Sequence, residues 1–193
     1  MQEVSEIKKY ARKNQVPIMK DDGLDFICNY IREHNVKRIL EIGTAIGYSA
    51  IQFAKVNPDI TVVTIEREID KVIRAKQNFH DNGMEERITV LNEDALMLEN
   101  LPGEFDLIFI DAAKAQYIKF FEKFKVNLAP DGVIISDNLS FHGMVEDFSL
   151  TKSKDTIRML KKIKKYVEFL KTNPDYTTEF FTVGDGISVT RKN

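Results

Sequence analysis

"RILEIGTAIGYSAI" (Arg38–Ile51) is an apolar run that closes on an acid, crosses two glycines and resumes as a second amphipathic run. A buried strand ending in Glu41-x-Gly43-x-x-x-Gly47 and handing over to a helix is the opening unit of a parallel α/β sheet. The dinucleotide fingerprint needs G-x-G-x-x-G, whose middle glycine lets the backbone touch a pyrophosphate. Ala45 fills that place here. A loop that never meets a pyrophosphate tolerates a side chain there, so the spacing points to a different nucleoside.

Outward from this stretch, strand-like runs alternate with helical patterns, as in a parallel sheet covered on both faces. A helix is expected over Val4–Lys13, then the turn "NQVPIMKDDG" (Asn14–Gly23) and a helix over about Leu24–Glu33, making an amino-terminal helical segment of about 1–35. The Arg38–Ile42 strand leads into a helix through Ile51 and Ala54. "ITVVTIE" (Ile60–Glu66) is the second strand, followed by a charged helix from Ile69 to Asn82 that Gly83 stops. "ITVLNE" (Ile88–Glu93) and "FDLIFID" (Phe105–Asp111) are strands three and four. A helix over Ala115–Leu128 and a turn at Pro130-Asp131-Gly132 lead into strand five, "VIIS" (Val133–Ser136). Beyond a basic helix, "TTEFFTV" and "ISVTRK" flank Gly184-Asp185-Gly186 as an antiparallel hairpin. The expectation is one Rossmann-like α/β domain over 1–193. Its seven-stranded, mostly parallel sheet ends in a carboxy-terminal hairpin, with helices on both faces. That outline is similar to a class I methyltransferase.

Composition bounds the rest. The 193 residues suffice for one domain with a sizeable core, and 43% hydrophobic with 30% charged residues is ordinary for a globular protein. No apolar run approaches the ~20 residues of a membrane helix, and the polar start "MQEVSEIKKYARKN" has no apolar signal core. A cytoplasmic protein without membrane partners is expected. The single cysteine, Cys28 in "LDFICNYI", excludes an internal disulfide or a thiolate cluster and reads as an inert core thiol. His34, His80 and His142 show no metal-ligand spacing. The net charge of −2 does not advertise a nucleic-acid binder, yet "TIRMLKKIKKYVEFLK" sets Arg158, Lys161, Lys162, Lys164, Lys165 and Lys171 against Glu168 alone. That stretch is either a solvated helix face or a phosphate-tracking surface.

In an open parallel sheet, ligands sit beyond the carboxyl ends of the strands. Here those ends carry Glu41 with Gly43, Glu66, Asp94, Asp111, and Asp137 with Asn138. Glu66 lies where a doubly wound sheet presents a carboxylate to ribose hydroxyls. Singly each acid can be a turn or cap residue, and for Asp94 that reading prevails. Together they define a rim whose mutual repulsion calls for a cation. Two cations fit: the sulfonium and ammonium of S-adenosylmethionine, or a hard metal. Asp111, Asp137 and Asn138 offer only oxygen ligands, which suits octahedral Mg2+. Lys114, three after Asp111, would project into the same space or form a surface i,i+3 pair worth a few tenths of a kcal/mol.

"VPIM", "LEIGTAIGYSA", "TIE", "EDAL", "FIDAAK" and "SDN" together resemble the metal-dependent O-methyltransferases of the catechol and caffeoyl-CoA type, almost from end to end. Within that family, "FIDAAKAQY", "DGVIISDNLSFHGMV" and "NPDYTTEFFTVGDGISVT" are most similar to bacterial tRNA 5-hydroxyuridine methyltransferases. That group usually starts with extra helical residues, whose contacts would lie outside this sequence. The resemblance implies S-adenosylmethionine and Mg2+ (or another divalent ion) as cofactors. It places Met19, Glu41, the Gly43 loop and Tyr48 along the cofactor slot. Ser49 and nearby backbone N–H groups receive the methionyl carboxylate, as a helix amino end favours. Glu66 takes the ribose diol, and Asp94 with Ala95 brackets the adenine. Asp111, Asp137 and Asn138 hold the metal, and Lys114 is the general base. Some relatives cover the adenine with a tryptophan just before the lysine; this chain has Ala113 and no tryptophan. Relatives are commonly homodimers.

Methyl transfer from sulfonium to oxygen is an in-line displacement, so alignment dominates. A substrate chelating through two adjacent oxygens fits a metal platform, as a catechol or 5-hydroxyuridine does. The expected activity is conversion of 5-hydroxyuridine at the tRNA anticodon wobble position to 5-methoxyuridine. The alternative is a small catechol or phenylpropanoid acceptor. Splayed anticodon bases are readable by an enzyme pocket. A non-catalytic binding module has no use for a base beside a metal. The loop "NLSFHGMVEDF" is expected to wall the acceptor pocket, with His142, Phe141 and Phe148 in it.

Overall fold

Seven runs rich in β-branched and aromatic residues pair into one sheet in the computed structural model, which describes residues 4–140, 143–145 and 147–193. The chain runs α1 (Val4–Lys13), α2 (Asp21–Glu33), β1 (Arg38–Ile42), α3 (Tyr48–Val56), β2 (Thr61–Ile65), α4 (Ile69–Asp81) and β3 (Ile88–Leu91). It continues through β4 (Phe105–Ile110), α5 (Tyr117–Phe124), β5 (Leu128–Ser136), α6 (Lys154–Lys171), β6 (Tyr176–Phe181) and β7 (Ile187–Lys192). The strand order is β3-β2-β1-β4-β5-β7-β6, parallel through β5 and antiparallel at the β5–β7 and β6–β7 pairs. The expected seven-stranded sheet with its terminal hairpin is the observed one.

Alternation along the central strands divides the core in two. Leu107 and Phe109 of β4 face a cluster with Ile7, Ile27, Phe53 and Phe79, from α1 to α4. Ile108 and Ile110 face the opposite cluster with Phe121 and Phe124 of α5 and Leu160 and Ile163 of α6. Both faces of the sheet are therefore buried, which its near-continuous apolar strands require. Among the described residues, no helix is long and apolar enough to cross a membrane.

Three elements differ from the sequence reading by three residues or more. Helix α2 starts at Asp21, three residues early, because Asp21 and Asp22 occupy the first turn, where acids favour the helix dipole. The helix expected over Ala115–Leu128 is split: 3-10 turns at Lys114–Gln116 and Lys125–Asn127 bracket the shorter α5. Pro130-Asp131-Gly132 lies inside β5 rather than before it. Phe105 pairs with Leu128 and Leu107 with Val133, so residues 129–132 bulge opposite Asp106 alone. The bulge absorbs the proline that a regular central ladder rejects.

Candidate active site

The strand register builds the rim. Ile42 lies beside Ile65 on one side and Ile110 on the other, and Ile110 lies beside Ser136. Gly43, Glu66, Asp111 and Asp137 therefore leave four neighbouring strands at one level. Backbone bonds extend the ladder past the strands: Gly43 N–H to the Ile65 carbonyl at 3.0 Å, Asp111 N–H to Ile42 at 3.0 Å, and Asp137 N–H to Ile110 at 3.2 Å. Gly43 has φ +105°, and a Cβ there would lie 2.2 Å from the Asp111 carbonyl oxygen. Only glycine lets the β1 loop close onto the end of β4.

On the β1–β2 side, Glu41 is fully buried and accepts hydrogen bonds from the Ser49 hydroxyl and, at 2.5 Å, from Thr64 Oγ1. Burial pushes its pKa up to about 7; the two hydroxyl bonds oppose the shift, and the Asp111 and Glu66 charges add to it. Glu66, half-buried, accepts the Ala45 N–H on one carboxylate oxygen and the Glu68 N–H on the other, both at 3.0 Å. Each oxygen keeps a second lone pair for a hydroxyl donor. Tyr48 is buried, and its ring and hydroxyl meet Lys8, which is paired with Asp21 at 2.6 Å. The amino end of α3 has Gly47 as N-cap and no side-chain cap. Met19 and Ala95 are buried. Asp94 is exposed, and its carboxylate accepts the Leu96 N–H at 2.9 Å, the turn role anticipated for it alone.

On the β4–β5 side, the Asn138 amide lies 3.3 Å from an Asp111 oxygen and 3.0 Å from an Asp137 oxygen, donating to both. Burial and mutual repulsion raise Asp137, and burial raises Asp111; the nearby Lys114 charge opposes both shifts. Lys114 itself is half-buried. The other Asp137 oxygen is buried with no hydrogen-bond partner among the described residues. An orphaned buried carboxylate oxygen, two repelling acids and an amide bonded to both are what a hard cation would relieve. Rotating the Asn138 amide by half a turn presents its oxygen to the same point. Among the described residues no three of His, Cys, Asp and Glu form a metal-ligand group, so the third protein ligand would be this amide.

Sequence reasoning missed two groups here. Asp185, read only as a turn residue, acts on both acids through its charge and pairs with Lys20 at 2.6 Å. Tyr117 donates its buried hydroxyl to the Asp137 carbonyl at 3.1 Å. The only sequence cue to the first was an acid flanked by glycines, and to the second a tyrosine six residues after Asp111. Cys28 is half-buried, with burial raising its thiol to about 11, which fits an inert thiol. His34 and His80 bond to the Tyr30 carbonyl and to Glu85, each at 3.0 Å. Phe141 and His142 lie outside the described residues.

The strand order is that of the Rossmann-like methyltransferases, and the chain is an S-adenosylmethionine-dependent enzyme of that class. More narrowly, the chain belongs to the O-methyltransferase family, whose model matches residues 1–193. A Staphylococcus aureus structure provisionally described as a caffeoyl-CoA O-methyltransferase is 42% identical, with TM-score 0.94 over 100% of this chain and 93% of that one. An O-methyltransferase from Bacillus cereus, solved with S-adenosylhomocysteine, is 26% identical, with TM-score 0.82 over 98% and 90% of the two chains. The caffeoyl-CoA O-methyltransferase of Populus kitakamiensis is 24% identical over 193 residues, covering 96% of this chain and 82% of that protein.

Proposed function

We propose that this O-methyltransferase methylates one of two adjacent oxygens on an acceptor held at the Asp111–Asp137–Asn138 rim, and that the acceptor is the wobble 5-hydroxyuridine of a tRNA anticodon. The observation that carries the reading is the meeting of Asp111 and Asp137 at the Asn138 amide, with the other Asp137 oxygen buried and without a hydrogen-bond partner among the described residues. Glu66 would hold the ribose of S-adenosylmethionine through its free lone pairs. The uncapped amino end of α3 would take the methionyl carboxylate, beside Ser49 and the buried Glu41. A divalent ion such as Mg2+, when bound, would supply Lewis-acid stabilisation of the developing oxyanion and a template for two acceptor oxygens. Lys114 Nζ takes the acceptor proton as the O–CH3 bond forms; the sulfur leaves with the S–CH3 electron pair as a neutral thioether.

The RNA acceptor is supported by α6. Arg158, Lys161, Lys162 and Lys165 are exposed at i, i+3, i+4 and i+7 on a helix that packs on the Lys114–Gln116 turn, so a basic stripe suited to phosphates lies on an element adjoining that turn. The small-molecule reading is favoured by the Populus relative, named for caffeoyl-CoA. A homodimer belongs to the same proposal and is checked by sedimentation of the purified chain.

The test pairs a variant with two acceptors. Asp137→Ala should abolish Mg2+-stimulated transfer, at least ~100-fold, while S-adenosylhomocysteine affinity changes less than about threefold. Full transfer by this variant in EDTA would sink the reading. Product mass spectrometry with tRNA carrying 5-hydroxyuridine against a catechol decides between the acceptors.

A further inference from the structure

The peptide joining Asp137 to Asn138 is held at every side. Before it, the Asp137 N–H donates to the Ile110 carbonyl at 3.2 Å, continuing the ladder between β4 and β5. On it, the Asp137 carbonyl accepts the Tyr117 hydroxyl at 3.1 Å, with both residues buried. After it, the N–H groups of Leu139 and Ser140 donate to the carbonyls of Gly186 and Asp185 at 2.9 and 2.7 Å. Between these anchors Asn138 has φ +66°, a left-handed conformation sparsely populated outside glycine and favoured among the rest by asparagine. In this conformation the amide reaches both Asp111 and Asp137.

Tyr117 is itself fixed. Its ring meets Tyr166 edge-on, with centroids 5.3 Å apart and planes at 85°, and the Tyr166 hydroxyl is 2.8 Å from Ser136 Oγ. A phenylalanine would fill the same apolar space, so packing explains the ring of Tyr117 and not its hydroxyl. A hydroxyl buried this deeply persists only with a bonding partner, and here the partner is the carbonyl whose orientation sets the next residue's φ. We propose that Tyr117 is a positioning residue: its hydroxyl, by anchoring the Asp137 carbonyl, keeps Asn138 left-handed and aimed at the two acids. It links the segment carrying Asp111 and Lys114 to the one carrying Asp137 and Asn138.

The inference rests on the metal reading above, and one titration separates them. Mn2+ is titrated by electron paramagnetic resonance into the full chain saturated with S-adenosylhomocysteine, without acceptor. The wild type should bind Mn2+ at a site that Asp137→Ala removes. Tyr117→Phe should weaken that binding by ~10-fold or more, as loss of a bond behind a ligand does, with S-adenosylhomocysteine affinity within about twofold. Tyr166→Phe loses a buried hydroxyl bond to a side chain outside this peptide and should leave Mn2+ affinity within about twofold. Site-specific p-aminophenylalanine at 117, which restores a ring donor, should recover Mn2+ affinity. Wild-type affinity in Tyr117→Phe, or an equal loss in Tyr166→Phe, overturns the positioning role alone. A wild type with no Mn2+ site overturns the metal reading and this inference with it. If Tyr117→Phe does not fold, p-fluorophenylalanine at 117 keeps the volume without the donor and is judged by the same two results.

Discussion

The Glu41 carboxyl, closed in beneath Ser49 and Thr64, ties stability to pH through one side chain. Its folded pKa, about 7, lies above the ordinary 4.5. Below 4.5 the group is neutral in both the folded and unfolded chain, and its burial carries no charge penalty. As pH rises toward 7 the unfolded chain releases the proton while the folded chain keeps it, so stability falls through this window and then levels. The shift corresponds to on the order of 3 kcal/mol. Glu41→Gln should therefore flatten the denaturation free energy between pH 4.5 and 7 relative to the wild type. Parallel curves for the two proteins in urea titrations across that range would refute the assignment. Asp111, Asp137 and Asn138 were legible as residues because strand ends in such sheets face ligands. The Ser49–Glu41 bond and the approach of Asp185 were not, because neither has a spacing rule; the first needs the loop after β1 folded back, and the second exists only once the distant β6–β7 turn reaches the rim.

At the scale of elements, the decisive contact is between the loop after β1 and the end of β4. Gly43→Ala would force a Cβ to within 2.2 Å of a backbone oxygen at φ +105°. The neighbour is main chain and cannot swing aside, so the strand ends must part. The expected cost is about 2–4 kcal/mol, a fall in Tm of roughly 5–15 °C, with weakened cofactor binding. A Tm within about a degree of wild type, by calorimetry, would contradict this geometry. The same scale shows where sequence patterns misled. Pro130-Asp131-Gly132 has turn chemistry, but pairing on both sides of it, at Leu128 and Val133, converts the turn into a bulge. The apolar spacing from Ala115 to Leu128 suits one helix; the observed break shortens it into α5 between two tighter turns.

Across the whole molecule, charge is segregated although the net value is only −2. Acids gather at the rim, and α6 turns Arg158, Lys161, Lys162 and Lys165 outward while Leu160, Ile163 and Leu170 are buried. Among the described residues no acid pairs with Lys161, Lys162 or Lys165, whereas Arg158 pairs with Asp155 at 3.1 Å. If the stripe tracks RNA phosphates, the triple variant K161E/K162E/K165E should raise KM for tRNA by ~10-fold or more. It should also reduce the salt slope of tRNA binding by about 3 and leave catechol kinetics unchanged. Unchanged tRNA kinetics would remove α6 from the account.

By itself the sequence determined the alternating α/β order, the closing hairpin and the acids that end the strands. Period-2 and helical apolar spacing, turn residues and strand ends are local properties, written in neighbouring positions. Only the tertiary structure decided that Glu41 is sealed off, that Asn138 bends left-handed between two acids, and that Tyr117 stands behind them. Those outcomes depend on strand register and on the approach of segments far apart in the chain, where a few tenths of an ångström decide which groups bond and no local pattern records the distance.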